Sequence, residues 1–126
     1  MSHSQYWDRI AALADSARND VESFQPPEQP PREAEALEYL REGVGPVVMV
    51  YIQGRTGGEP APFDETEFAL MERALNDWLE LYARCYGEVV ETEVTVREAA
   101  ELLLDTRNVK DVAQILTRVP PRAATR

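Results

Sequence analysis

Histidine and cysteine each occur once in this chain of 126 residues, lysine occurs once, and no long apolar run is present. The only histidine, His3, sits near the start, and the only cysteine, Cys85, falls on an apolar helical seam. Zinc sites and histidine-based triads need several such groups converging, so no metal, no cofactor and no catalytic residue is expected. A lone thiol also excludes an intrachain disulfide, and its seam position marks it as buried rather than reactive. The longest apolar runs fall far short of the roughly 18 residues that a membrane helix needs. The opening MSHSQYWDRI has neither a basic nor an apolar stretch of the kind that directs export, so a cytoplasmic protein is expected. Carboxylates are plentiful, but pairs such as Glu65 with Glu67 or Glu91 with Glu93 arise by chance in an acidic chain and are read as solvated charge.

What the chain has in excess is negative charge. Asp and Glu number 23 against 13 Lys and Arg, a net of -10, and the bases are almost all arginine. The composition resembles that of acidic proteins of salt-loving archaea, which implies a surface whose self-repulsion is screened by salt. The charge is uneven. Residues 105–126 carry Arg107, Lys110, Arg118, Arg122 and Arg126 against Asp105 and Asp111, five bases to two acids, which leaves -13 for everything before.

One stretch keeps strict helical time. In FDETEFALMERALNDWLELYARCYG, residues 63–87, the side chains of Phe68, Met71, Leu75, Trp78, Tyr82 and Cys85 recur at steps of three and four, while Glu72, Arg73, Asp77, Glu80 and Arg84 fall away toward solvent. Asp64 with Glu67 reads as a capping box and Gly87 as a left-handed stop, so a long helix is expected over about residues 65–86.

The other elements are placed around it. Ser4 is read as the cap of a first amphipathic helix, with Ile10, Ala14, Ala17, Val21 and Phe24 on its stripe, and QPPEQPP as a stiff connector. A short helix from about Arg32 is expected to close at Gly43. The apolar, branched run Val47–Ile52 reads as a buried strand, and the alternation of Val90, Thr92, Val94 and Val96 with Glu91, Glu93 and Thr95 as a half-exposed one. Thr95 with Glu98 caps a further helix, and Asn108 a last one that ends at Pro120. The fold class expected is therefore α+β: a mostly helical single domain, four to five helices with a small two- or three-stranded sheet. Its parts would be an N-terminal arm at 1–24, a connector at 25–31, a core at 32–119 and a disordered basic tail at 120–126.

Three functional readings follow. The leading one is a non-enzymatic, self-associating interaction domain, because two strands make a poor sheet and the arm has a stripe to bury; a homodimer contact is expected through Trp7, Ile10 and Phe24 and through Val48, Val50 and Ile52. The second rests on TVREAAELLLDTRNVKDVAQIL, which resembles the helix-turn-helix of excisionase-like winged regulators in its T-V-x-E-A-A-x-L-L opening. That resemblance implies DNA contact through Arg107, Lys110, Gln114 and Arg118. The third takes GRTGG, between a strand and a helix start, as an anion-holding loop using Arg55, Gly57 and Gly58.

Overall fold

The computed structural model describes residues 3–58 and 62–121. Residues 1–2, 59–61 and 122–126 lie outside the described residues, and with the last of these most of the tail expected to be disordered. The described residues contain helices and no strand: α1 (Trp7–Ser23), α2 (Glu33–Tyr39), a π-helical turn (Leu40–Val44), α3 (Gly45–Arg55), α4 (Glu65–Cys85), α5 (Val96–Thr106) and α6 (Val109–Thr117). Because α2, the π turn and α3 run on without a break, the architecture is an all-helical domain of five rods, not the α+β fold the sequence suggests.

The long helix organises the rest. Both halves of the Asp64–Glu67 capping box are made, with the Glu67 amide donating to Asp64 Oδ1 at 2.8 Å and the Asp64 amide to Glu67 Oε1 at 3.0 Å. Its apolar seam is buried from Met71 through Leu75, Trp78 and Tyr82 to Cys85. Helix α1 lies alongside and parallel to it. At one end Ser4 donates its hydroxyl to Glu67 at 2.6 Å, midway Arg18 pairs with Asp77 at 3.3 Å, and beyond that Trp78 donates its indole N–H to Asp20 at 2.9 Å. Ser4 is thus engaged with α4 rather than capping α1, whose first residue follows Tyr6 without a side-chain cap. The connector turns at the far end, where the Arg32 amide reaches the Cys85 carbonyl at 2.8 Å, so that α2 starts back down α4. The prolines fold α1 onto its own chain; the stripe of Ile10, Ala14 and Ala17 is buried there.

The expected strand at Val47–Ile52 is helix α3. Val47, Val50, Tyr51 and Gly54 recur at helical spacing and are buried with Val48, and a run buried on nearly all sides carries no periodicity to separate strand from helix. Gly43 does not stop the chain, because the turn widens: the Gly45 amide reaches back five residues to the Leu40 carbonyl. Pro46, in the next turn, has no amide to give and needs room toward the preceding carbonyls, which a wide turn supplies.

The second expected strand, about Val90 to Val96, is extended but joins no sheet. Its partner is a helix. The Thr92 amide donates to Glu80 Oε2 at 2.9 Å, the Val94 amide to Asn76 Oδ1 at 2.9 Å and the Val96 amide to Glu72 Oε2 at 3.1 Å, while Asn76 Nδ2 donates back to the Val94 carbonyl at 2.9 Å. Two extended residues advance about 6.6 Å and four helical residues about 6.0 Å, so side chains four apart on α4 match amides two apart on the segment. Glu72 and Glu80 are consequently half-buried supports and not the solvated residues that the seam alone implies. Helix α5, with the Thr95–Glu98 capping box made, packs on α3; α6, capped by Asn108, packs on α5 and reaches α4.

Candidate functional site

The principal concavity is an open groove of about 970 Å³ between α1 and the rod formed by α2 and the π turn. Ser16 and Asp20 form one wall, residues 32–42 form the other, and Trp78 of α4 is the floor. Trp78 is only 2 % exposed. It is held by its bond to Asp20 and by Gly43, where a Cβ would fall inside the indole ring's van der Waals surface. The close approach of backbone to ring is what glycine permits here, and the π turn brings Arg41 and Glu42 to the groove's edge.

The walls are acidic. Asp20, Glu33, Glu35, Glu38 and Glu42 face two bases, Arg32 and Arg41. Some of this charge is used internally: Arg32 pairs with Glu35 at 3.1 Å and donates to the Gln25 carbonyl, and the Tyr39 hydroxyl donates to Glu35 at 2.7 Å. Burial, and then the Glu35 carboxylate, push the Tyr39 phenol above its usual range, so Tyr39 stays a neutral donor. Glu33, Glu38 and Glu42 have no ion-pair partner among the described residues. Leu37, on the same wall, is an exposed apolar side chain. The groove thus combines a negative rim with apolar surface.

The residues singled out from sequence are scattered. Ile10, Val48 and Val50 are buried within the chain, Ile52 is partly buried against the core, and Phe24 is clamped by the guanidinium groups of Arg32 and Arg84 at 5.5 and 5.1 Å from its ring centre. Trp7 stacks on His3 at 3.7 Å. Both premises of the dimer argument, an uncovered strand edge and an unburied stripe, are therefore replaced by contacts within one chain. At the glycine loop, Arg55 is exposed near Tyr51, the Gly57 amide donates to the Gly54 carbonyl, and Gly58 has φ of 97°. The α4 amides nearby are capped by Asp64, which competes with any added anion. At the C-terminal pair, Arg107 is left-handed, Arg107, Lys110 and Arg118 are exposed, and Gln114 is bound to the Pro120 carbonyl at 2.7 Å. Pro120, assigned to a disordered tail by composition, is thereby tied to α6.

One cluster went unread in the sequence. His3, Asp64 and Glu67 place possible metal-ligand atoms within 4.8 Å of one another. Glu67 is fully buried, and its oxygens accept from the Ser4 amide, the Ser4 hydroxyl and the Asp64 amide. His3 lies 2.7 Å from Asp64. These bonds describe a helix start pinned to the N-terminus. Asp64 is held below its usual carboxylate range first by its bond from the Glu67 amide and then by His3.

The sequence profile described as a domain of unknown function, DUF8055, matches residues 4–121. The chain belongs to that family. No curated protein and no solved structure matches it. The family match spans every helix described above and attaches no chemistry to the groove. Among the described residues, no helix is long and apolar enough to cross a membrane.

Proposed function

We propose that this DUF8055 domain is a non-enzymatic interaction domain, and that it takes a positively charged helix of another protein in the groove between α1 and α2. The observation that carries this reading is the groove itself: a concavity of about 970 Å³ with Leu37 and Tyr39 on one wall, Trp78 beneath, and Glu33, Glu38 and Glu42 along the rim without internal ion pairs. An amphipathic helix docks by laying apolar side chains in such a channel, while its charges meet the rim and set orientation and approach rate. The π turn supports the same reading, since such turns occur frequently at functional sites. Neither His3 nor Cys85 lines the groove, although the Cys85 carbonyl accepts from the Arg32 amide at its end.

The test uses a fluorescein-labelled peptide of lysine and leucine at helical spacing, titrated by anisotropy. Ala34→Phe, which fills the groove from an exposed position, should abolish saturable binding, and Glu33→Gln with Glu38→Gln and Glu42→Gln should weaken it by about tenfold or more. A charge-matched control, Asp8→Asn with Glu65→Gln and Asp105→Asn, should leave it nearly unchanged. Equal loss in both triple variants would reduce the binding to general attraction by an acidic protein and contradict the reading.

A further inference from the structure

The extended segment over residues 88–95 has two edges, and between Glu91 and Val94 only the one facing α4 is occupied; at the segment's ends the Glu88 amide donates to the Ala83 carbonyl and the Thr95 amide to Glu98. The amides of Thr92, Val94 and Val96 turn to Glu80, Asn76 and Glu72 on α4. In an extended chain, successive residues present their amide and carbonyl groups to opposite sides. Those of Glu91 and Glu93 therefore lie along the outer edge, and among the described residues they have no hydrogen-bond partner. The α4 side chains act as a substitute neighbouring strand and hold the segment straight. Within it Val89 is 82 % exposed, the most exposed large apolar side chain among the described residues.

We propose that this outer edge accepts an extended, lysine- or arginine-bearing segment of another protein by strand addition. Holding the backbone extended in advance removes much of the ordering cost of such pairing. Edge strands are ordinarily blunted by charged side chains, proline or a bulge; the stretch EVVETEVT has no proline, and its only charges are Glu88, Glu91 and Glu93. The charge selects the occupant. Glu88, Glu91 and Glu93 are exposed on the segment, so a second copy pairing edge to edge would set glutamate against glutamate, whereas lysine or arginine at alternate positions meets them favourably. Val89 shares the face of Glu91 and Glu93, so an apolar residue at the next alternate position of the added strand can cover it. This site lies on a different part of the molecule from the groove and stands or falls separately.

The experiment is site-resolved amide exchange by NMR on the full chain, with a synthetic peptide of alternating lysine and valine as probe and a twin N-methylated at its pairing amides. The peptide should slow exchange at Glu91 and Glu93 by about tenfold or more, and the twin, with the same charge, should not. Glu91→Gln with Glu93→Gln should weaken the peptide's effect, and Ala34→Phe in the groove should not. Unchanged exchange at Glu91 and Glu93 with the peptide saturating overturns the proposal, as does equal protection by the twin. Protection that rises with protein concentration in the absence of peptide also overturns it, by assigning the edge to a second copy.

Discussion

Replacing Asn76 with alanine probes the contact between helix and extended segment most sharply. One amide side chain serves both polar groups of Val94: Oδ1 accepts from its N–H and Nδ2 donates to its carbonyl, each at 2.9 Å. Nothing else among the described residues bonds either group. Alanine removes both bonds at once and leaves two part-buried backbone groups to find water. A net contribution of about 1 kcal/mol per bond is the lower expectation, and an unsatisfied group costs about 1 to 3 kcal/mol, so for two groups the loss should be about 2 to 6 kcal/mol, toward the lower end because both are only part-buried. Helix propensity works the other way by about 0.5 kcal/mol, since alanine is the better helix former. Urea unfolding should therefore show a lower midpoint with an unchanged slope, and the Val94 amide should lose its protection in exchange measurements while the α1 amides keep theirs. Arg73→Ala, one helical turn away on the exposed side, should be within about 0.5 kcal/mol of wild type. Loss of less than about 0.5 kcal/mol for Asn76→Ala, with Val94 still protected, would refute the argument.

Trp78→Ala should cost about 3 to 5 kcal/mol in chemical unfolding, because it empties the groove floor and strands Asp20; a loss under about 1 kcal/mol would mean the indole is not packed as described. Gly43→Ala should cost about 1 to 3 kcal/mol by forcing ring and π turn apart, and a neutral outcome would contradict the close approach. Melting should shift upward between dilute buffer and molar KCl, since -13 rests on the residues before 105; a salt-independent or falling melting temperature would remove the charge argument. Burial pushes the Cys85 thiol up to about 12 and raises the Tyr82 phenol as well. The folded chain thus holds these protons more tightly than the unfolded one, so stability should be full below about pH 8.5 and decline as pH rises from there toward 12. The native thiol should correspondingly react slowly with a disulfide reagent at pH 8 and rapidly once unfolded; prompt native reaction would contradict its burial.

Three helix starts were legible because a cap is a local device: Asp64 with Glu67, Thr95 with Glu98 and Asn108 all act as their residue types suggest, whereas Ser4, read as a fourth cap, is bonded to Glu67 of α4 instead. The seam of α4 was legible for the same reason, being a single-helix periodicity. The segment from Val90 to Val96 shows the limit of such patterns. Its alternation reports an extended chain with one half-buried face, but the identity of the neighbour is not encoded in the alternation, and here it is a helix's side chains. Val47–Ile52 misled because branched residues and the flanking Gly45-Pro46 are strand and breaker signals, whereas the π turn lets the helix continue through them. The groove was not legible at all. It exists only where residues 16–20, 32–42 and Trp78 meet, and its one local trace is the glycine in REGVGP that lies against the indole.

The central claim, that a cationic helix lies over Trp78, is tested most directly by intrinsic fluorescence in Trp7→Phe protein, where Trp78 is the sole indole. Adding the lysine–leucine peptide should produce a saturable change in Trp78 emission that Ala34→Phe abolishes. Saturable peptide binding by anisotropy with no change at Trp78, or a change that survives Ala34→Phe, would place the partner elsewhere and contradict the account.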